Sequence, residues 1–337
     1  MIERCSMTRK IILDVDPGTD DAIAIMSACL ADDLDVVAIC SVFGNAAIEY
    51  TTINALNVAH CVEADHVPVY PGAAKPILKH LFTSRPQFVD EPVLKGSAII
   101  DGVEVQMNPD VLPLEPAVRR PEEMNAACFY VDYLRKAAEK TTLVATGALT
   151  NLAMALVMAP DIIENIDEIV IMGGGVNKAN ITPSAEANFW KDPEAARHVL
   201  GCGAHITLCT LDATHSAALT EHHEEQIRII GTSAANFIAN DIHSRIESYN
   251  KYQPLERRNT APIHDALCVA YLLDPGVLTS VELCACEVDC GDSACEGRLV
   301  VDSRHFTAEK NVRVAFEADP DRLAAVLINV LSQNGSN

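Results

Sequence analysis

The feature that most constrains this chain is a cluster of acids placed directly after an apolar segment. Residues 11–15 are Ile-Ile-Leu-Asp-Val, and four aspartates fall within residues 14–21. The apolar run has the character of a buried strand, Pro17-Gly18 marks a turn, and Asp20-Asp21 before apolar residues is typical of a helix start. We therefore predict a strand, a turn and a helix that meet at the strand's carboxyl end.

The four carboxylates predict a metal site. Placed together they repel one another unless a cation lies among them, and in open α/β sheets the carboxyl ends of strands form the ligand-binding crevice. Oxygen ligands without histidine or cysteine favour calcium or magnesium over zinc or copper. Acids in a first helical turn also complement the helix dipole, which accounts for Asp20 and Asp21 but not for Asp14 and Asp16.

Two other acidic motifs fit this segment poorly. An EF-hand loop that began at Asp14 would need a bidentate glutamate at its twelfth position, where Ile25 stands. A phosphatase of the haloacid dehalogenase type begins with a similar Asp-x-Asp but typically continues with x-Thr or x-Val. Here Pro17-Gly18 follows instead.

The charge balance limits the possible partners. The 337 residues carry 25 Lys and Arg against 47 Asp and Glu, a formal net charge of −22. Nucleic-acid polymers and anionic membranes both attract positive charge, so we expect neither as a partner. A small or neutral substrate is compatible with this charge.

The termini and cysteines predict a soluble cytoplasmic protein. Residues 1–10 lack the apolar core of a signal peptide, and no later apolar run is long enough to span a bilayer. The 12 cysteines are scattered along the chain, which is typical of reduced thiols and not of a disulfide framework. Cysteines 284, 286, 290 and 295 crowd one segment, but they lack the usual Cys-x-x-Cys spacing of a zinc site, so we expect free thiols there.

The remaining chain alternates strand-like and helix-like segments, the order typical of right-handed β-α-β units. Strands are predicted at 36–43, 67–72, 141–145, 168–172 and 206–211, and a hairpin at 281–301. Helices are predicted at 51–62, 122–140, 149–158, 193–200, 221–249, 263–272 and 319–331.

We predict one α/β domain over residues 1–337: an open, doubly wound, mostly parallel central sheet flanked by helices. Residues 1–9 are expected to form a flexible N-terminus. Residues 73–121 are rich in Pro and Gly and lack periodicity, which predicts a long irregular insertion. In such a sheet Asn45, Thr146 and Gly173-Gly175, which each follow a predicted strand, would join the aspartates at one edge. Each of them alone is typical of an ordinary turn.

Residues 14–22 closely resemble the Asp-x-Asp-x-Gly-x-Asp-Asp-Ala signature of the nucleoside hydrolases. These are the calcium-dependent N-ribohydrolases that split nucleosides into ribose and free base. Four later segments are similar to further motifs of that family, in the same order. They are 146–153 (Thr-Gly-x-Leu-Thr-Asn-x-Ala), 172–174 (Met-Gly-Gly), 180–188 (Asn-x-Thr-Pro-x-Ala-Glu-x-Asn) and the pair His264-Asp265.

The resemblance implies a calcium ion held by Asp16, Asp21, Asp265 and the backbone carbonyl of Thr146, together with the nucleophilic water and the ribose 2′ and 3′ hydroxyls. Asp16 touches that water and would be the general base. The residues implied to bind the ribose are Asp20, Asn45, Asn180, Glu186 and Asn188. If they stood alone, Glu186 would be a solvated charge and Asn188 a helix cap before Pro193. Asp14 would support the loop.

On the base side the resemblance points to His264. An imidazole of near-neutral pKa there could stabilise or protonate the leaving base, although a lone histidine before a helix is more often a cap or a surface residue. Residues 249–258 resemble the family's mobile base-covering loop, so Tyr249 and Tyr252 are predicted base contacts. Met172 is also placed on the substrate side, although such a methionine is more often part of a core.

The base preference stays open. The family usually carries a His-Gly-x-x-Gly-Leu segment that touches the base, whereas residues 95–102 offer no aligned histidine, and His80 is a weak substitute. A purine-specific branch stacks the base between tryptophans, and Trp190, the only tryptophan, is expected to serve packing. The His264-Asp265 form points to the inosine-uridine type or a pyrimidine-leaning one.

We therefore predict a calcium-dependent ribonucleoside N-ribohydrolase that forms a homodimer or homotetramer. Two alternatives stay open. One is a catalytically silent protein that binds ribose or nucleosides with calcium, and the other is a phosphatase that uses the aspartate cluster.

Overall fold

The computed structural model describes residues 8–86, 97–100, 103–106, 108–302, 304 and 309–333. The strands of this part are β1 (Arg9–Val15), β2 (Leu34–Ser41), β3 (Val69–Pro71), β4 (Ser97–Ile100), β5 (Val103–Gln106), β6 (Thr141–Ala145), β7 (Ile166–Met172), β8 (Ile206–Cys209), β9 (Leu219–Thr220), β10 (Thr260–Ala261), β11 (Leu278–Val288), β12 (Leu299–Asp302) and β13 (Val312–Ala318). The α-helices are α1 (Thr19–Leu30), α2 (Ile48–Cys61), α3 (Ala126–Lys136), α4 (Thr150–Met158), α5 (Ala187–Lys191), α6 (Pro193–Leu200), α7 (Leu211–Ser216), α8 (Glu221–Arg228), α9 (Ser233–Tyr252), α10 (Ala266–Leu273) and α11 (Pro320–Gln333).

The central sheet has nine strands in the order β12-β11-β13-β8-β7-β6-β1-β2-β3. All pairs from β13 to β3 are parallel, and β11 and β12 add an antiparallel edge. This confirms the predicted mostly parallel sheet and the predicted hairpin near residues 281–301.

Helices cover both faces of the sheet. On β1, Ile11, Leu13 and Val15 pack into a hydrophobic cluster that includes residues of α1, α2, α9, α10 and α11. Ile12 points the other way, into a cluster that includes residues of α3, α4 and α6. A strand buried on both faces has an almost continuous apolar sequence, which is why residues 11–15 were recognisable as a strand.

The direction in which successive strands are added to the sheet reverses next to β1. After β1 the sheet grows through β2 and β3 on one side, and from β6 it grows through β7 and β8 on the other. The following helices, α1 and α4, belong to opposite faces. Ligands of open α/β sheets bind in the crevice that opens at such a switch point, so the fold places the aspartates where a site is expected.

Some predicted boundaries are wrong. The predicted helix 221–249 is two helices, α8 and α9, because Gly231 adopts a left-handed φ of 79° and the Thr232 hydroxyl caps α9 by accepting from Ala235 N at 3.2 Å. The helix predicted from residue 122 begins at Ala126, because Asn125 is its N-cap.

The sequence patterns also missed structure. Strand β13 was not predicted, although it joins the parallel and antiparallel parts of the sheet. The insertion 73–121 carries the hairpin β4–β5, and Arg9, expected in the flexible N-terminus, begins β1. Residues 1–7, 87–96, 101–102 and 107 lie outside the described residues. Within the described part of the chain, no helix has both the length and the apolar character needed to cross a membrane.

We expect Ile12→Ala to lower the free energy of unfolding by about 2–5 kcal/mol, because it removes a fully buried side chain from the central strand and leaves a cavity. The same substitution at Ile229, which is 84% exposed, should change it by less than about 0.5 kcal/mol. Urea denaturation measures both variants. Equal effects at the two positions would contradict the assignment of β1 to the centre of the core.

Candidate active site

Asp21 joins the loops that follow three strands. Its buried carboxylate accepts hydrogen bonds from the backbone N–H groups of Asp16 (3.3 Å) and Gly18 (3.1 Å), the Asn45 amide (3.2 Å) and the Thr146 hydroxyl (2.7 Å). These donors follow β1, β2 and β6. One carboxylate therefore sets the positions of loops that are far apart in sequence.

Asp16 is held through one of its two oxygens. Its Oδ2 accepts from the backbone N–H of Asn45 and from the Lys191 ammonium, both at 2.7 Å. Its Oδ1 is buried and has no hydrogen-bond partner among the described residues. A buried carboxylate oxygen without a donor is costly, so Oδ1 is an atom suited to a cation or a water.

Carboxylate oxygens of Asp20, Asp21 and Asp265 lie within 4.8 Å of one another, and all three residues are buried. Burial raises the pKa of Asp21 and Asp265, and repulsion from the neighbouring aspartates raises it further. Burial also raises the pKa of Asp16, which Lys191 partly offsets. Such carboxylates are stabilised by a cation, and an all-oxygen donor set fits a hard ion such as calcium.

Asp20 has its own counter-ion. Burial opposes ionisation of Asp20, but the charge of Arg245 lowers its pKa, and the Arg245 guanidinium lies 2.6 Å from Asp20 Oδ1. Arg245 also pairs with Asp241 at 2.9 Å, one turn earlier on α9. Of the three clustered carboxylates, Asp20 is therefore the one that has a positively charged partner, which it shares with Asp241.

Glu186 and Asn188 are built into the loops around the site. The Glu186 carboxylate accepts from the backbone N–H groups of Gly174 (2.8 Å), Asn188 (2.7 Å) and Phe189 (3.1 Å), so it caps α5 and fixes the turn after β7. The Asn188 amide donates to the Thr146 carbonyl at 2.6 Å. Neither is a solvated surface residue, and the cap before Pro193 is Asp192, not Asn188.

A cavity opens above these groups. Its lining includes most of the residues predicted to bind the metal and the sugar, and several that were not predicted: Asp20, Asn45, Asn108, Thr146, Met172, Asn180, Glu186, Ala187, Asn188, Lys191, Arg245, Tyr249, Gln253, His264 and Asp265. Asp14, Asp16 and Asp21 are buried outside this lining, and neither Tyr252 nor His80 belongs to it.

His264 lies between two hydroxyl groups. Its Nδ1 is 2.8 Å from Thr214 Oγ1, and its Nε2 is 2.8 Å from the Tyr249 hydroxyl. Burial lowers the pKa of His264 to about 3, which corrects the near-neutral pKa expected from the sequence. The neutral imidazole is a hydrogen-bonding group at the cavity wall, and it is neither a surface residue nor the cap of α10, which is Asp265.

Asp14 lies behind the site. Its carboxylate accepts from the Tyr130 hydroxyl and from the Asn151 amide, both at 3.0 Å. Burial raises the pKa of Asp14 to about 7. These contacts tie β1 to α3 and α4, and they suit the supporting role predicted for Asp14.

The family model for inosine-uridine preferring nucleoside hydrolases matches residues 11–325. This chain belongs to that family.

Relatives of this nucleoside hydrolase agree with the assignment over almost the whole chain. The pyrimidine-specific ribonucleoside hydrolase RihB of Shigella flexneri serotype 5b is 33% identical over 314 residues, which is 93% of this chain and 94% of that protein. RihB of Escherichia coli strain K12 / DH10B is 34% identical over 316 residues, with the same coverage.

Solved structures of nucleoside hydrolases share the fold. The purine-preferring ribonucleoside hydrolase from Gardnerella vaginalis superposes with a TM-score of 0.83 at 29% identity and covers 97% of this chain and 99% of its own. The plant nucleoside hydrolase PpNRh1 gives a TM-score of 0.81 at 26% identity and covers 96% and 99%.

The nucleoside hydrolase site also contains residues that the sequence did not reveal. Lys191 and Arg245 are the fixed cations of the cavity, and Asn108 and Gln253 complete its wall. Lys191 lies three residues after Asn188 in the same short helix, but no local pattern marks it as part of the site. Arg245 lies four residues before Tyr249 on α9, at the spacing that puts two side chains on one helix face.

Two further predictions for this nucleoside hydrolase concern residues outside the cavity lining. Cysteines 284, 286, 290 and 295 form no disulfide bonds in the described part of the chain. Trp190 is 4% exposed and packs beneath the Lys79 ammonium, which lies 3.2 Å from the ring centre, so it does not line the cavity.

We expect Asp14→Asn to become more stable relative to the native protein as the pH rises from 4 to 7. The folded pKa of about 7 exceeds the ordinary value of 3.8, so in this range the native state binds more protons than the unfolded state. The Asp14 carboxyl therefore lowers the free energy of unfolding of the unsubstituted protein as the pH rises, and the variant lacks this contribution. Urea denaturation of both proteins in a chelator measures the difference, and a difference that stays constant with pH would contradict the shift.

Proposed function

We propose that this chain is a calcium-dependent N-ribohydrolase that converts ribonucleosides to ribose and free base. The observation that carries the proposal is the cluster of three buried carboxylates, Asp20, Asp21 and Asp265, at a cavity walled by amides and acids. Asp16 adds an unpartnered Oδ1, and its charge acts on Asp21. The names of the RihB relatives and of the structural neighbours point to the same substrate class. A cytoplasmic location and a homodimer or homotetramer remain predictions.

The ion would be held by Asp16 Oδ1, Asp21, Asp265 and the Thr146 carbonyl. The Thr146 carbonyl already accepts from Asn188, and a carbonyl oxygen has a second lone pair for a ligand. When bound, calcium would supply a water of lowered pKa and oxygen coordination for the ribose hydroxyls.

Asp16 would act as the general base. Its Oδ2 is fixed by two donors, so the plane of the carboxylate is set, and Oδ1 is left as the oxygen that can meet a water. Removing a proton from the attacking water gives the nucleophile for the anomeric carbon, where oxocarbenium character develops.

The ribose would be held by polar side chains of the cavity wall. Five residues are assigned to this role: Asp20, Asn45, Asn180, Glu186 and Asn188. Their protein contacts fix them before substrate arrives: the side-chain Oδ1 of Asn180 accepts from Ala187 N at 3.0 Å, and Asp20 is paired with Arg245. Such preorganisation lowers the entropic cost of placing the sugar over the water.

The base would leave on the side of Tyr249 and His264. The Thr214–His264–Tyr249 chain of hydrogen bonds offers a donor to the negative charge that develops on the departing base. Met172 and Gln253 line the same cavity. Tyr252, which lies outside the lining, stays a predicted contact of the base-covering loop.

The decisive assay is release of reducing sugar from uridine and inosine. We expect release that is abolished by a chelator and restored by added calcium. A silent binding protein would bind nucleoside without releasing sugar, and a phosphatase would release phosphate from phosphate esters instead. Either of these results would overturn the proposal.

We expect Asp16→Asn to lose about 10²–10⁴-fold in kcat with a much smaller change in KM, because the amide oxygen still ligates weakly but cannot accept a proton. Asp32→Asn, at an exposed carboxylate, is the control and should leave kcat unchanged. Loss of nucleoside affinity with kcat retained would show that the base lies elsewhere.

We expect His264→Ala to slow inosine cleavage by about 10²-fold, because the departing base loses its hydrogen-bond chain. Cleavage of p-nitrophenyl riboside, whose leaving group needs no proton at neutral pH, should fall far less. Comparing kcat/KM on the two substrates is the measurement. An equal loss on both would mean that His264 acts on the metal site through Asp265 instead.

A further inference from the structure

Lys191 forms a buried ion pair with the proposed general base. Its ammonium lies 2.7 Å from Asp16 Oδ2, and the two side chains are 11% and 1% exposed. It is the last residue of α5, the helix that begins just after Glu186. The preceding residue is fixed as well, because the Trp190 carbonyl accepts from the buried Lys79 ammonium at 2.7 Å.

The loop after β2 leaves room for this pair. A side chain at Gly44 would overlap Asp16 Oδ2, and its Cβ would lie 2.8 Å from the Lys191 nitrogen. Asn45 then adds its backbone N–H to the same oxygen. Two separate segments, the loop after β2 and helix α5, therefore converge on Oδ2 and leave Oδ1 without a partner among the described residues.

The charges around the cluster also include Lys191. Five aspartates, Asp16, Asp20, Asp21, Asp241 and Asp265, meet two fixed cations, Lys191 and Arg245, because Arg245 also pairs with Asp241. Glu186 is satisfied separately by three backbone N–H groups. The aspartates thus outnumber these two cations by three, and without Lys191 the excess of negative charge would be larger.

We propose that Lys191 is a positioning residue that holds Asp16 by Oδ2, so that Oδ1 alone faces the metal and the water, and that its charge weakens calcium binding. The inference rests on the proposed function. Loss of the ammonium frees the carboxylate to turn and to bind the ion through both oxygens. It also removes a positive charge that repels the ion.

The test compares Lys191→Met and Lys191→Gln with the native protein. Calcium affinity is measured by isothermal titration with calcium chloride, and kcat and KM are measured on uridine and inosine. We expect calcium to bind at least about tenfold tighter in both variants, because repulsion between like charges is removed. We expect kcat to fall about tenfold or more, with KM changed less than about threefold, because the carboxylate loses its fixed orientation.

The matched control is Lys136→Met on α3, whose exposed ammonium pairs with Asp132 at 2.6 Å and should leave both quantities unchanged. Structural damage to the site would weaken calcium binding, so tighter binding with slower turnover distinguishes positioning from misfolding. Gln keeps a polar group at this position if Met fails to fold. A native calcium affinity or a native kcat in the folded variants overturns the inference.

Measurements on the native protein distinguish failure of this inference from failure of the proposed function. Calcium-dependent sugar release by the native protein with unaltered behaviour of both variants defeats only the role of Lys191. A native protein that neither binds calcium nor releases sugar defeats both.

Discussion

The arrangement of the site depends on the buried carboxylate of Asp21. It gathers donors from the loops after β1, β2 and β6, and so it joins segments from both sides of the switch point in the sheet. Burying this charge costs free energy unless it is hydrogen-bonded and compensated. Its neighbours Asp16 and Asp20 raise its pKa further, so the fold brings together carboxylates that are most stable with a cation among them.

The protein neutralises only part of this charge. Arg245 serves Asp20, and Lys191 serves Asp16, each through a contact that reaches the aspartate from another element. Asp21 and Asp265 have no such ion pair among the described contacts. This division is the reason we propose Asp20 as a sugar ligand and not as a metal ligand, since Arg245 already faces its carboxylate. It also leaves the oxygens best suited to an ion next to the cavity.

Short sequence patterns predicted much of this structure, because the strands, turns and helix ends concerned are determined by residues that are close in sequence. The apolar run to Val15, the turn at Pro17-Gly18 and the acids at the start of α1 are each set by neighbours in sequence. Asn45, Thr146 and Gly173-Gly175 could be placed because strands of a parallel sheet end at one edge. The resemblance to a known family supplied the roles that spacing alone could not.

Contacts between distant segments were not predictable in the same way. Lys191 meets Asp16 across 175 positions, and nothing near either residue signals that pairing. The pKa of His264 depends on burial between Thr214 and Tyr249, which the pair His264-Asp265 does not reveal. Strand β13 was missed because its position in the sheet is decided by pairing with β8 and β11.

The most direct test of the account is a crystal structure grown with millimolar calcium, with the ion located by its anomalous scattering. We expect one calcium within about 2.3–2.6 Å of oxygens from Asp21, Asp265, Asp16 Oδ1 and the Thr146 carbonyl, with Lys191 still on Asp16 Oδ2. An anomalous peak elsewhere, or no peak at these oxygens, would contradict it.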